Sequence, residues 1–365
     1  MQPSPQREAA SPRLLIVTAT DRRRGAEVFT ERLGEGLAGR GWFVDAVSLT
    51  RSGDTRRAGV DCLTDVDSAR PGRLNRRIAR ALNQRIKDFQ PDIVLANGGS
   101  TLRYGALGTL RSDSPLVYIA IGEPDFWIHS LPSRVANRWM LSRTSKVLAV
   151  CDATSRQLLG LDPSLAGRLH VTYTGVPDEF FTVRPGEDDG GPLRVVMVGS
   201  LSPEKDPLLA LRSAAQVPRV VLRFVGGGPL MGRVRDEMHA LGVEDRVEMI
   251  GAVDDITPHL EWANVLLLTS LTEGLPGAVL EAGAASVPSV AVDVGGVREA
   301  VSDGVTGIVV DRNDDDGLAR ALRLLAGDPH LVRRLGRAAR LHIKERFAMD
   351  HIVSGYAARL AEVLG

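Results

Sequence analysis

Two carboxylates sit eight residues apart in the segment Thr272-Glu273-Gly274-Leu275-Pro276-Gly277-Ala278-Val279-Leu280-Glu281-Ala282. Pro276 suits a first helical position, where the missing N–H costs nothing. Glu273 is then expected in the loop before a helix, and Glu281 inside it. Between them lie the free N–H groups of a first helical turn, which attract anions. At about 1.5 Å rise per residue, Glu281 falls roughly 7 Å below the helix start. The carboxylates therefore bracket an anion site. A nucleotide-sugar has that layout, with ribose hydroxyls, a diphosphate and sugar hydroxyls in sequence, and carboxylates accept hydrogen bonds from hydroxyls. Glutamate before a helix also serves simply to stabilise the helix dipole, and a helical glutamate is usually just solvated. The apolar neighbours Val279, Leu280, Ala282 and Ala284 weigh against solvation alone for Glu281.

Other segments offer compatible chemistry. Gly199-Ser200, followed by Lys205, joins a strand to a helix with a glycine turn and a cation, as a diphosphate requires. Gly226-Gly227-Gly228 ends the next strand, and three glycines let backbone approach a ligand closely. Each segment also reads as an ordinary strand-to-helix loop. Gly295-Gly296 closes a further loop of the same kind. Near the N-terminus, Arg22-Arg23-Arg24-Gly25 follows the first apolar run without the full G-x-G-x-x-G pattern, so no dinucleotide site is supported there. Gly25 remains a candidate contact for phosphate or acceptor.

The elements that must position these residues form two series. Apolar runs at Leu14–Ala19, Phe43–Leu49, Asp92–Ala96, Leu116–Ile121, Lys146–Val150 and Leu169–Tyr173 read as strands alternating with helices. A Gly-, Asp- and Pro-rich stretch, 182–192, reads as a linker. A second series follows at Leu193–Val198, Val220–Val225, Arg246–Ile250, Val265–Thr269, Ser289–Val292 and Gly307–Val310. Alternation of this kind implies α/β architecture with parallel sheets covered on both faces. Two Rossmann-like domains are expected, over 13–181 and 193–346, with a cleft between them. Residues 1–12 read as a disordered leader, and 347–365 as a closing helix.

Bulk properties narrow the classes. A chain of 365 residues with 44% hydrophobic content suits two soluble domains. Formal net charge is zero, so no basic field draws nucleic acid. Cys62 and Cys151 form neither a disulfide framework nor a metal cluster, which fits a reducing cytoplasm. No apolar run approaches membrane-spanning length. The stretch Arg73–Lys87 carries Arg73, Arg76, Arg77, Arg80, Arg85 and Lys87 beside an apolar stripe of Leu74, Ile78, Leu82, Ile86 and Phe89. Such a basic face is usually only solvated, and its sharper reading is attraction to an anionic membrane surface, at the inner face, or to an anionic acceptor.

Taken together, Glu273-Gly274-Leu275-Pro276, Leu280-Glu281-Ala282, Val287-Pro288-Ser289, Asp293-Val294-Gly295-Gly296-Val297-Arg298-Glu299 and Asp303-Gly304-Val305-Thr306-Gly307 resemble the retaining glycosyltransferases of family GT4. That resemblance implies the GT-B fold. Its match is densest over Leu193–Val310 and thinner in the first domain, where Gly25-Ala26-Glu27 is the clearest echo. It implies a nucleotide-sugar donor linked to UDP or GDP, an acceptor on the N-terminal domain, and no metal or other cofactor. It assigns Glu281 to the ribose hydroxyls, Glu273 to the transferred sugar with Gly274, Leu275, Pro276 and Gly277 assisting, and Lys205 to the diphosphate. Gly251 and Ala252 would flank the base, and the last helix would cross back to the first domain.

Two departures stand out. Ser200 occupies a place where the family often has arginine. The histidine that the family often carries after the strand Leu116–Ile121 is absent, and the chain reads Gly122-Glu123-Pro124-Asp125-Phe126-Trp127-Ile128-His129. Glu123, Asp125 and His129 are the candidate substitutes, and a surface turn is the plain alternative. Rival functions are a sugar-nucleotide epimerase or phosphorylase on the same fold, and a nucleotide-sugar-binding or regulatory protein without turnover.

Overall fold

The computed structural model describes residues 11–22, 25–51, 59–66, 74–128, 130–186 and 190–365. The first sheet contains β1 (Arg13–Thr20), β2 (Phe43–Thr50), β3 (Asp61–Cys62), β4 (Ile93–Asn97), β5 (Leu116–Ala120), β6 (Thr144–Ala149) and β7 (Leu169–Val171). Their spatial order is β3-β2-β1-β4-β5-β6-β7. The second sheet contains β8 (Leu193–Val198), β9 (Val220–Val225), β10 (Val247–Gly251), β11 (Val265–Leu268), β12 (Ser289–Val292) and β13 (Gly307–Val310), ordered β10-β9-β8-β11-β12-β13. Every strand pairing within both sheets is parallel.

The central strands are buried along their whole length, which explains their unbroken apolar runs. The edge strand β3 escaped sequence reading because it is only Asp61–Cys62, without an apolar run or alternation. Each domain reverses strand order beside its first strand, between β1 and β4 and between β8 and β11. Ligands of open α/β sheets bind outside the carboxyl ends of strands at such reversals. Loops following β8 and β11 are therefore brought together, although 68 residues separate Lys205 from Glu273.

The chain crosses back at its end. Two backbone hydrogen bonds hold the crossing: Val176 N donates to Phe347 O at 2.8 Å, and Met349 N to Val176 O at 3.1 Å. Helix Met349–Leu364 then lies on the first domain. Its Tyr356 ring is 5.6 Å from that of Phe29, its Tyr356 hydroxyl donates to Thr172 O, and its Glu362 pairs with Lys146. The cross-back buries Tyr356 and Leu360 completely.

The basic segment after residue 73 packs its apolar stripe inward and leaves Arg76, Arg77, Arg80 and Lys87 exposed. Helix Arg76–Phe89 turns Ile78, Leu82 and Ile86 into the core, and Arg85 forms a two-pronged pair with Asp45 at 2.6 and 2.7 Å. Leu74 lies outside the buried stripe and is exposed, while Phe89 stacks on Phe43 under Arg13. Arg73 lies outside the described residues. No described helix is long and apolar enough to cross a membrane.

Candidate active site

Glu273 sits in the loop between β11 and helix Gly277–Ala284. Pro276 precedes that helix as its cap instead of opening it, so Gly277 is the first helical residue. The difference is one residue, and it leaves the Gly277 end of the helix open, with no atom within 4 Å of where a Cβ would stand. The Glu273 carboxylate is mostly covered. Its Oε1 accepts from Lys205 Nζ at 2.5 Å and from Ser270 Oγ at 2.6 Å.

Lys205 is held by its own backbone. Asp206 adopts φ 43° and caps helix Pro207–Ala215 by accepting from Leu209 N at 3.2 Å. Thr269 Oγ1 donates to Lys205 O and Asp206 O at 3.0 and 2.8 Å, which ties the end of β11 to the loop after β8. Hydroxyls at the strand end thus fix both members of the ion pair. The run Thr269-Ser270-Leu271-Thr272 carried this signal in the sequence, because small hydroxyl side chains bond readily to nearby backbone and carboxylates.

Glu281 projects from the second turn of the helix and is partly buried. Burial pushes its carboxyl up to about 7, and the Glu179 carboxylate adds to the effect. A carboxyl in that state changes charge near neutrality. Cys151, whose Sγ lies 3.6 Å from Gly274 O, is fully buried, and burial likewise pushes its thiol up. It therefore stays protonated and is not an activated nucleophile.

The glycine loops interlock. Gly226 takes φ 150°, and a Cβ there would stand 1.7 Å from Gly199 O. A Cβ on Gly228 would stand 2.3 Å from Leu201 O. Close packing between loops therefore requires glycine at both positions. Gly227 lies against Ala252, while Gly199 and Gly251 have open space where a Cβ would be. Ser200 is exposed beside them. Gly25 opens helix Gly25–Ala38 with equally open surroundings.

The first domain reaches this site through the loop after β5. Glu123 is buried, its Oε2 accepting from Thr272 Oγ1 at 2.6 Å and its Oε1 from Gln157 Nε2 at 3.4 Å. Asp125 is exposed on the short helix Pro124–Trp127, its backbone N donating to Gln157. His129 lies outside the described residues. A second bridge joins Asp152 N to both Glu299 carboxylate oxygens at 3.0 Å. Between these bridges the backbones touch, for a Cβ on Gly274 would stand 2.2 Å from Ile121 O. Among the described residues, no three His, Cys, Asp or Glu side chains converge as a metal cluster.

Two family models divide the chain at the seam between its sheets. Residues 180–342 match glycosyl transferases group 1, and residues 23–180 match glycosyltransferase family 4. The second half of the chain thus matches the glycosyl transferases of group 1, and the first half glycosyltransferase family 4. A D-inositol 3-phosphate glycosyltransferase of Mycolicibacterium paratuberculosis is 31% identical over 61% of this chain and 54% of its own length. An exopolysaccharide phosphotransferase of Streptomyces coelicolor is 34% identical over 62% of this chain and 24% of its own length. The matches thus span about a quarter to a half of these relatives. Among solved structures, Anabaena HepE in complex with UDP and glucose superposes with a TM-score of 0.81 at 21% identity, covering 96% of this chain and all of the other. Sucrose-phosphate synthase of Thermosynechococcus elongatus superposes at 0.82 and 18%, covering 96% and 99%. These likenesses establish the GT-B fold of the chain.

Sequence reasoning singled out Lys205, Glu273 and Glu281 as candidates, and the structure adds Ser270 against Glu273 and Thr272 and Gln157 against Glu123. Glu123 was singled out for chemistry on a substrate. Its two oxygens are engaged by Thr272 and Gln157, so it also bridges the domains in this structure.

Proposed function

We propose that this protein transfers a sugar from a nucleotide diphosphate donor to an acceptor, with retention of anomeric configuration and without need of a metal. The Lys205–Glu273 pair at the strand-order reversal of the second sheet carries this reading. An ammonium beside the open N-terminal end of helix Gly277–Ala284 supplies positive charge where a diphosphate would lose its sugar. Glu273, held by Lys205 and Ser270, has its second oxygen left for sugar hydroxyls. Glu281, farther down the same helix, suits the ribose hydroxyls. In this assignment the second domain, 193–346, binds the donor, 13–181 binds the acceptor, and 182–192 links them.

Retention follows in a front-face route. The acceptor hydroxyl attacks the anomeric carbon on the face the diphosphate leaves. Its proton passes to the departing phosphate oxygen, whose charge Lys205 and the helix end stabilise. Neither glutamate acts as nucleophile, because Glu273 is bound to a cation and Glu281 lies a helical turn deeper. HepE is known in complex with UDP and glucose, so UDP-sugars are the first donors to test here, with GDP-sugars second.

Incubation with labelled UDP- and GDP-sugars, with and without an acceptor panel, tests the reading. It predicts nucleoside diphosphate release that depends on acceptor, persists with EDTA and yields a product of unchanged anomeric configuration. Turnover of donor alone to an epimer would replace it with the epimerase reading.

A further inference from the structure

Helix Leu131–Ser142 has its apolar stripe facing the wrong way for a core. Leu131, Val135 and Trp139 recur at i, i+4 and i+8 and are 78%, 68% and 45% exposed. Residues four apart share one helix face, so these three form a continuous apolar ridge. The helix has no acidic residue, while Arg134 and Arg138 flank the ridge. Beside it runs a groove of about 580 Å³ lined by Leu131, Val135, Ile128, Arg134, Arg138 and Arg156. Arg134 and Arg156 are exposed, and Arg138 lies 3.9 Å from Asp162. Among the described residues lining it, Asp125 is the one carboxylate, against three guanidinium groups.

The groove starts at the site already described. Asp125 and Gln157 line its upper end, and Gln157 donates to Glu123, which accepts from Thr272, the residue before Glu273. From there it follows helix Asp152–Leu161 down to Gly160 and Leu161. At about 1.5 Å per residue that helix is roughly 15 Å long. The groove thus leads from the cleft between the domains outward along the first domain.

We infer that this groove is an acceptor subsite for an amphiphile bearing a phosphate group on a hydrocarbon chain. The inference rests on the glycosyl-transfer reading for the word acceptor, and on the groove alone for the ligand class. Guanidinium groups bind phosphate in a bidentate, charge-assisted manner. Leu131, Val135 and Ile128 offer the chain an apolar wall that water otherwise covers. A neutral glycan would leave the three positive charges uncompensated, and an inorganic anion would leave the ridge wet.

Binding of monomeric dodecyl phosphate to the full chain, followed by tryptophan fluorescence and calorimetry, tests this. Dodecyl maltoside and inorganic phosphate serve as the chain-only and phosphate-only probes. Dodecyl phosphate is expected to bind saturably with one-to-one stoichiometry, at least about tenfold tighter than either. Arg134→Glu combined with Arg156→Glu, and separately Val135→Asp, are each expected to weaken it at least about tenfold. All three positions are exposed, so the melting temperature should hold, and the shift induced by a nucleotide-sugar should persist in each variant. That donor shift separates the two claims: its loss in the unmodified protein would sink the donor reading and leave the groove standing. Equal binding of dodecyl maltoside, or undiminished binding by the charge-reversed variant, would overturn the inference. So would binding to anionic vesicles but not to the monomer, or a concentration-dependent dimer abolished by Val135→Asp, since each assigns the face to a different occupant.

Discussion

Lys205 Nζ donates to Glu273 Oε1 across 2.5 Å, joining the loop after β8 to the loop after β11. The pair sits where the two loops meet at the sheet's strand-order reversal, and Ser270 shares the same carboxylate oxygen. Each partner orients the other before any ligand arrives. Such preorganisation is the main source of electrostatic stabilisation in polar sites. Lys205→Ala is therefore expected to lower kcat for glycosyl transfer by about 10²–10³ with a smaller change in donor KM. Steady-state kinetics with the preferred donor measure the split, and a change in KM alone would reduce Lys205 to a binding residue.

Much of this was legible beforehand. All twelve strand runs read from the sequence fall within two residues of their observed limits or coincide with them, as at Leu193–Val198, Val220–Val225, Ser289–Val292 and Gly307–Val310. Buried parallel strands leave continuous apolar runs, which are hard to mistake. Glu273 and Glu281 stood out as candidates because carboxylates contrast with their glycine-rich or apolar surroundings, and Lys205 because it is a cation following a strand and a glycine turn. What the sequence hid was long-range pairing. Nothing local to Glu123 announces Thr272, 149 residues away, and nothing in Gly228 announces the Leu201 carbonyl. The outward ridge of Leu131, Val135 and Trp139 was hidden for the same reason, since periodicity reveals an apolar face but not what faces it.

Glu281 gives the protein a pH signature. Its folded value of about 7 lies above its ordinary 4.5. The folded state holds this proton more tightly than the unfolded chain, so the stabilisation is complete below about pH 4.5 and is lost as pH rises through 7. Thermal unfolding of the free protein between pH 5 and 8.5 should show a decline that Glu281→Gln removes. Ribose hydroxyls donate to the ionised form, so donor affinity should rise over the same interval in the unmodified protein and stay flat in Glu281→Gln. Calorimetric titrations at pH 6 and 8 measure the difference.

The Thr272–Glu123 contact predicts coupling between domains. Thr272→Val keeps the shape but leaves a buried carboxylate oxygen without its donor, which costs about 1–3 kcal/mol. Denaturant unfolding should show that loss. Because Thr272 adjoins Glu273, kcat should also fall by about tenfold, an estimate for a loop loosened by a fraction of an ångström. Combining Thr272→Val with Glu123→Gln should cost less than the sum of the two single changes, and full additivity would mean that the side chains act independently.

Gly274 is the tightest point between the domains. Gly274→Ala would drive a Cβ to 2.2 Å from the Ile121 carbonyl oxygen, and backbone on both sides gives little room. Overpacking of this kind costs about 1–3 kcal/mol. The melting temperature should fall, and small-angle scattering should register a wider separation of the domains. Gly277→Ala, where the surroundings are open, is the matched control and should leave stability nearly unchanged.

The central claim is that the cleft beside Lys205, Glu273 and Glu281 binds a nucleotide-sugar. Isothermal titration of the purified chain with UDP-glucose and a GDP-sugar, repeated on Lys205→Ala and Glu281→Ala, tests it most directly. The account predicts one-to-one binding of at least one donor class, weakened at least about tenfold by either substitution and accompanied by a matching rise in melting temperature. Absence of binding by every nucleotide-sugar tried, or equal affinity in both variants, would contradict it.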